Sequence, residues 1–220
     1  LLSDSQALSK TAREELDVLN GKADEEKTPQ DNVRAAQLGG VLHYTNRAEQ
    51  RMGQTRSQMR QRQAERAFRR SATALDELKR ARDQLRGPVE VLDVILADAT
   101  SLAQLTSAQA MANRVAVAAE PQNLEAPAWL TREYLEDSQL SVTERTTELV
   151  SRLQAGLDQQ GPQPAGPPTP QQQQQNAEAD RFLAMVREAM PFLNDGQTAF
   201  ESAGQALSTE AFAEASQQQL

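Results

Sequence analysis

Hydrophobic residues recur at three- and four-residue intervals along most of this chain, which is the spacing of one face of an α-helix. Residues 3–20 show the pattern first, and it stops before Gly21. The apolar positions of this segment are Leu8, Ala12, Leu16 and Leu19. β-Branched and aromatic residues nowhere alternate with polar residues between turn signals, as they would in strands. The pattern therefore predicts an all-α protein.

A second helix is predicted to start at Thr28-Pro29, with the threonine as N-cap and Asp31 as an acid in the first turn. We expect this helix to run to Arg86, because Gly87-Pro88 is a typical stop signal. Gly39-Gly40 is its one weak point, a kink or a close helix crossing. Its apolar positions are Val33, Val41, Tyr44, Ala48, Met52, Thr55 and Met59, followed in a shifted phase by Phe68, Leu75, Leu78 and Leu85.

The middle of the chain predicts two more helices. Residues 89–119 are the most apolar segment and carry hydrophobic residues on more than one face, so we expect a central helix. Residues 120–127 are predicted to form a loop. The next helix has Thr131 as its N-cap, with Leu130 and Leu135 placed as a hydrophobic staple.

Residues 161–175 are rich in Pro, Gly and Gln and predict a flexible linker. The linker would separate a bundle at residues 1–160 from a further helical hairpin at residues 176–220. Within that hairpin the pattern breaks near Asn194-Asp195-Gly196 and restarts at Ser208 or Thr209. Together these elements predict an elongated antiparallel bundle of long helices, similar to a coiled coil.

Composition agrees with narrow helical contacts. Of 220 residues, 38% are hydrophobic and only 4% aromatic, which suits helices packed through Leu and Ala better than a thick globular core. The chain has no Cys, so disulfides and thiolate metal sites are excluded. No apolar run approaches the ~20 residues that span a bilayer, so no transmembrane segment is expected in this fragment. The chain starts at Leu1 without Met, and we interpret it as a fragment with a signal or anchor possible outside it.

Charge is distributed unevenly. Residues 47–87 carry twelve bases and five acids, a net +7, whereas the whole chain has a net charge of −8. Within this basic stretch the hydrophobic pattern is lost at residues 60–66, although we expect the helix to continue there. The stretch could be a solvated face neutralised by acidic neighbours, a site for an acidic protein or anionic surface, or a nucleic-acid site. The candidate partner-binding residues are Arg60, Arg62, Arg66, Arg69 and Arg70.

Residues that could support catalysis are scarce. His43 is the only histidine, so a zinc site built on several histidines is excluded, as is a di-iron bundle. Adjacent acids such as Glu14-Glu15 point in different directions on a helix and cannot converge on one atom. No phosphate-binding or calcium-binding motif is present. We therefore expect neither an enzyme nor a cofactor or metal site, and we expect Trp129 to close one end of the bundle.

Two segments look like parts of one repeated unit. Ser71–Leu85 leads through Gly87-Pro88 into an apolar helix, and Ala199–Leu207 with Ala211–Gln217 looks like the preceding part of the unit. The unit resembles the Ala/Gln-rich helical segments of bacterial envelope proteins that accompany von Willebrand factor A and MoxR-type systems. This resemblance implies a bacterial, extracytoplasmic helical scaffold, and it implies no catalytic residues.

The function expected from the sequence is a non-enzymatic scaffold or protein–protein interaction domain, with a protein partner or self-association. Two alternatives stay open. One is a sensor or ligand-binding bundle with a pocket lined by residues 39–59 and 89–111, and the other is a nucleic-acid-associated coiled coil. The expected location is periplasmic or otherwise extracytoplasmic, with the cytoplasm as the alternative.

Overall fold

The computed structural model describes residues 2–23, 25–118, 126–158 and 170–220. Every regular element in these ranges is an α-helix, so the predicted all-α class is confirmed. Most of the predicted loop at 120–127 and the predicted linker up to residue 169 lie outside the described residues. The helices are α1 (Leu2–Asn20), α2 (Pro29–Arg60), α3 (Ala64–Asp83), α4 (Pro88–Ala118), α5 (Arg132–Asp158), α6 (Pro170–Ser208) and α7 (Phe212–Gln218).

Contacts divide the described residues into two units. Unit 1 takes them from Leu1–Val91 and Pro127–Ser138, and unit 2 from Leu92–Ala126 and Gln139–Leu220. Unit 1 therefore holds α1, α2 and α3 with the first turns of α4 and α5. Unit 2 holds the remainder of α4 and α5 together with α6 and α7.

Helix α2 begins as its sequence predicts. The Asp31 backbone N–H donates to Thr28 Oγ1 at 3.2 Å, and the Thr28 N–H donates to Asp31 Oδ2 at 2.9 Å. These reciprocal bonds form a capping box, with Pro29 at the first helical position. Lys22 Nζ donates to Asp31 Oδ1 at 2.8 Å, and this bond together with those from Thr28 lowers the pKa of Asp31 to about 2.

Helices α1 and α2 pack antiparallel through a hydrophobic cluster and through small polar side chains. The cluster has Ala12, Leu38 and Val41 at its centre, and Leu16, Leu19 and Leu42 pack against it. Ser9 Oγ lies 3.0 Å from Thr45 Oγ1 and 3.1 Å from Glu49 Oε1, and Ser5 Oγ lies 3.4 Å from the same Glu49 oxygen. The helices are antiparallel because residues near the start of α1 contact residues late in α2. Leu8, predicted as an apolar contact, is instead exposed, and the buried residues of α1 are Ser5, Ser9 and Ala12.

Helices α2 and α3 also pack antiparallel, and the Gly39-Gly40 pair does not break α2. Gly40 faces the side chain of Gln84, to which a Cβ would come within 2.8 Å, whereas a Cβ at Gly39 would meet nothing within 4 Å. Arg47 Nη2 contacts Glu77 Oε1 at 2.8 Å further along the same pair of helices.

The predicted phase of α3 is wrong by one residue. The pattern placed Phe68, Leu75 and Leu85 in the packing face, yet all three are exposed. The buried residues of α3 are Ala67, Ala74, Glu77, Ala81 and Asp83. The three alanines repeat every seven residues, and their small side chains let the helix approach α2 closely. A pattern based on large hydrophobic residues misses a contact made by alanine.

The helix predicted from Pro29 to Arg86 is in fact two helices. Helix α2 ends at Arg60, the chain reverses, and α3 starts at Ala64. Arg62 has φ 57°, in the left-handed region, which terminates the helix. The Gln61 N–H donates to Ser57 O at 3.1 Å and the Gln63 N–H to Gln58 O at 2.9 Å. The missing hydrophobic pattern at residues 60–66 therefore marks a hairpin turn.

Helix α5 starts as predicted after Thr131, whose Oγ1 accepts a hydrogen bond from the Tyr134 N–H at 3.2 Å. Leu130 and Leu135, the predicted staple residues, are both buried. In unit 2 the side chain of Arg145 is buried and its Nη1 contacts Asp98 Oδ2 at 2.6 Å, which joins α5 to α4.

Gln139 links three helices of unit 2. Its Nε2 donates to Phe200 O in α6 at 2.9 Å, and its Oε1 accepts from Gln219 Nε2 at 2.8 Å. Gln139 and Gln219 are both buried. Because a buried amide without hydrogen bonds is costly, these contacts specify how α6 and the residue after α7 meet α5.

Helix α4 differs from the central helix that was expected. Val91, Ile95 and Leu102 are buried, whereas Leu96 and Met111 are exposed. Among the described residues, its Pro88–Arg114 part is long enough and apolar enough to cross a membrane, with 33% of its most apolar window buried. This assignment rests on the length and composition of the helix alone, and the core helix of a soluble protein meets the same criteria. The absence of a transmembrane segment stays a prediction.

Helix α6 differs from the predicted helix boundaries at three places. It starts at Pro170, so six residues of the predicted linker are helical. It continues through Asn194-Asp195-Gly196, where a break was predicted, and through Pro191, whose ring nitrogen has no N–H to donate. The chain turns after Ser208, where Glu210 has φ 61°, and α7 begins at Phe212 rather than at Ser208 or Thr209.

Candidate protein-interaction site

Three of the five predicted arginines lie together at the α2–α3 turn. Arg60 is the last residue of α2, Arg62 lies in the turn, and Arg66 lies in the first turn of α3; all three are exposed. Arg66 Nη1 lies 3.5 Å from Gln63 Oε1, and none of the three forms an ion pair with a described residue. The turn therefore presents three positive charges to solvent.

Arg69 and Arg70 differ from these three. Arg69 is half-buried and donates from Nε and Nη2 to Asp137 Oδ2, at 3.0 and 2.8 Å. These hydrogen bonds raise the pKa of Arg69, with Coulomb attraction to Asp137 and Glu133 adding to the effect. The positive charge of Arg69 is thus paired with Asp137 within unit 1. Arg70 is half-buried in α3.

An aromatic cluster lies beside these arginines. The ring centroid of Phe68 lies 5.9 Å from that of Trp129 and 5.6 Å from that of Tyr134, and Trp129 meets Tyr134 edge-on at 5.5 Å. These separations are typical of favourable aromatic pairs. Phe68 and Trp129 are nevertheless exposed, the indole by 42%. Trp129 packs on two rings at one end of unit 1 and still offers surface to solvent.

Met59 extends the apolar surface in the last turn of α2, where it is 67% exposed. Because Met59 and Phe68 flank the same hairpin turn, they lie at the same end of unit 1 as the arginines. We call this surface the basic–aromatic end. It consists of Met59, Arg60, Arg62, Arg66, Phe68 and Trp129.

The sequence located only part of this surface. Trp129 and Tyr134 lie more than sixty positions beyond Phe68, so no local pattern connects them with it. Helical spacing instead assigned Met59 and Phe68 to the buried face. One feature of the sequence did point to this surface: hydrophobic periodicity is lost at residues 60–66, where arginines are frequent. Both observations indicate that these residues are exposed to solvent on all sides.

The remainder of the basic stretch is partly neutralised inside unit 1. Arg47 contacts the buried carboxylate of Glu77, and Arg82 Nη2 lies 3.2 Å from Asp83 Oδ1. The Arg80 guanidinium lies 4.5 Å from the centre of the Tyr44 ring. Glu77 and Asp83 belong to the basic stretch itself, so acids of α3 neutralise part of its positive charge.

Metal-binding groups are not brought together in the described part of the chain. His43 is exposed on α2 and its ring meets that of Tyr44 at 5.0 Å. No group of three His, Asp or Glu side chains with metal-binding geometry occurs among the described residues.

Two grooves lie in unit 1. An apolar one of about 250 Å³ is lined by Met52, Leu75 and Leu78, among others, and a polar one of about 360 Å³ lies between α1 and α2. Of the two ranges expected to line the pocket of a sensor, residues 39–59 contribute Met52 to the apolar groove and Glu49 to the polar one, whereas residues 89–111 contribute to neither. Ligand pockets usually measure about 300–1,000 Å³ and are deeply concave, so the apolar groove is small for that role.

No protein-family model, no curated protein and no solved structure matches this chain. The class of protein is therefore defined by the fold and the surface alone. It is an all-α protein of antiparallel helices with a basic–aromatic end.

Proposed function

We propose that this chain is a non-enzymatic helical interaction domain whose basic–aromatic end binds an acidic surface of a protein. The observation that carries the proposal is the exposure of Trp129, Phe68 and Met59 beside three arginines without ion-pair partners in the described part of the chain. Trp, Tyr, Met and Arg are the residues most enriched at protein interfaces and at their energetic centres.

The geometry suits recognition by contact. The aromatic rings already support one another, so little side-chain entropy would be lost when a partner covers them. Arginine forks form paired hydrogen bonds to carboxylates, which would orient an acidic partner around the apolar centre. Desolvating the rings would supply affinity, and the charges would supply orientation and a faster association rate.

The two alternatives receive less support. The apolar groove is small, as described above, which weighs against the sensor. Aromatic rings beside arginines also occur in proteins that bind single-stranded nucleic acid, but those proteins generally present a basic groove along the strand. Here the whole chain carries a net charge of −8, which repels a polyanion.

The test uses a photoreactive amino acid at Met59 in the full-length protein, expressed in the cells from which the gene comes. We expect a cross-linked protein adduct that disappears in the triple variant R60E/R62E/R66E. Val18 provides a matched control, because it is 68% exposed on α1, near the opposite end of the α1–α2 pair. Absence of an adduct at Met59, or equal adducts at both positions regardless of the arginines, would exclude the proposal.

An extracytoplasmic location is the second part of the proposal. It is supported by the resemblance to helical segments of bacterial envelope proteins. Fractionation of cells that express the complete gene product tests it, with the protein expected in the periplasmic or membrane fraction. Recovery in the cytosol would contradict this part and leave the interaction surface unaffected.

A further inference from the structure

A second exposed apolar surface lies on the first half of α6. Phe182, Met185 and Phe192 occupy positions i, i+3 and i+10, which fall on one face of a helix. Met185 is 60% exposed and Phe192 77% exposed. The residues of this helical segment that turn inward, among them Leu183 and Val186, lie on a neighbouring face. The exposed phenylalanines and methionine are therefore separate from the core of unit 2.

Acidic side chains accompany this surface. Glu178 lies one turn before Phe182 on the same face, and Glu188 lies between Met185 and Phe192; both are exposed. The exposed Arg181 lies between the two glutamates on this face, so the face carries a net charge of −1. Residues 170–220 as a whole carry seven acids and two bases. We call Glu178, Phe182, Met185, Glu188 and Phe192 the acidic α6 face.

The acidic α6 face complements the basic–aromatic end in both charge and polarity. One surface has three exposed arginines near exposed rings and a methionine, and the other has two exposed glutamates and one arginine near exposed rings and a methionine. The segregation extends to the units: unit 1 has eighteen bases and seventeen acids, and unit 2 has five bases and fourteen acids. The two surfaces therefore carry net charges of opposite sign beside exposed apolar side chains.

We propose that the acidic α6 face of one copy of this chain docks on the basic–aromatic end of another copy. This inference rests on the proposed function and names its partner. The contact would join two different surfaces, so it is heterologous, and repetition would produce rings or open chains rather than only a closed dimer. Apolar contact would hold the pair together, and charge would select the orientation.

Sedimentation velocity of the full chain over a range of concentrations tests the inference. At about 0.1 M salt we expect the mean mass to rise with concentration, and at about 1 M salt we expect this rise to be much reduced, because the charges are screened. The variants R60E/R62E/R66E and E178K/E188K should each be monomeric. In each variant alone, the two docking surfaces carry the same sign of charge.

Mixing these two variants gives the sharpest result. The first retains an intact acidic α6 face and the second an intact basic–aromatic end, so the mixture should associate although neither protein does so alone. Two further variants serve as controls. R60K/R62K/R66K keeps the positive charges and should still associate, and D180K changes the charge of α6 on the face opposite Phe182 and should behave as the unmodified chain.

The outcomes separate this inference from the proposed function. A chain that stays monomeric at all concentrations, or a mixture that stays monomeric, overturns docking between copies. If the Met59 cross-linker then still captures a different protein in an arginine-dependent manner, the basic–aromatic end binds another partner and the proposed function stands. If D180K abolishes association as fully as E178K/E188K, general charge rather than the acidic α6 face is responsible, and the inference fails. Circular dichroism of each variant verifies that the helices are retained.

Discussion

At the scale of single residues, Arg62 affects both the fold of this protein and its charged surface. Its φ of 57° lets the chain reverse between α2 and α3, and the reversal places Arg60 and Arg66 beside it. A residue other than Gly or Asn in this region pays about 1–2 kcal/mol for the close approach of its Cβ to the backbone. The chain thus keeps a charged residue at a position where glycine would fold better.

Arg62→Gly should therefore stabilise unit 1 by about 1 kcal/mol, because glycine adopts the left-handed region without that steric cost. The same change should weaken capture at Met59, because it removes one of the three exposed charges. Urea denaturation measures the first effect as a higher midpoint with an unchanged slope.

Gln61→Gly is the matched control for this prediction. Gln61 lies in the same turn but has φ −83°, so glycine there relieves nothing and should destabilise the protein by about 0.5–1 kcal/mol through chain entropy. Equal effects of the two glycines would show that the left-handed conformation of Arg62 stores no strain.

At the scale of helices, the lesson concerns which residues make the contacts. Helix boundaries marked by local chemistry were predicted well: the capping box of Thr28 and Asp31 and the N-cap Thr131 are both present. Packing faces were predicted less well, because the pattern weighted large side chains. In α3 the contact with α2 is made by alanines at seven-residue intervals, and Leu75 beside them is more than half exposed.

Two substitutions in α3 test this assignment. Ala81→Leu adds three carbons to a buried position and should destabilise by about 1–3 kcal/mol through overpacking. Leu75→Ala removes the same atoms from an exposed position and should change the free energy of unfolding by no more than about 0.5 kcal/mol. The predicted hydrophobic pattern requires the reverse order, so chemical denaturation of the two variants decides between the pattern and the structure.

At the scale of the whole molecule, the distribution of charge is the dominant feature. The excess of negative charge falls on unit 2, while unit 1 is nearly neutral and concentrates free positive charge at one end. Such an arrangement favours orientation of a protein partner over accumulation on a polyanion, because the long-range field of the molecule is negative.

Single-stranded DNA and RNA should therefore bind poorly, with a dissociation constant weaker than about 10⁻⁴ M at physiological salt. Fluorescence anisotropy of a labelled oligonucleotide measures this directly. Tight binding that weakens steeply with salt and is lost in R60E/R62E/R66E would instead assign the basic–aromatic end to nucleic acid.

The sequence by itself determined the all-α class, the starts of α2 and α5 and the location of the basic stretch. These follow from interactions within a few residues: helical periodicity, capping side chains and the sum of nearby charges. It could not determine that residues 60–66 form a turn, since polar residues are equally compatible with an exposed helix and with an exposed turn.

Only the tertiary structure decided which face of α3 is buried and which side chains join the arginines. Trp129 and Tyr134 lie more than sixty positions beyond Phe68 and reach it because the chain returns to unit 1 at Pro127, and no local preference encodes that return. Burial of alanine in place of leucine likewise depends on how closely two helices approach. Both are properties of packing between distant segments, and packing is decided by shape rather than by the hydrophobicity of single residues.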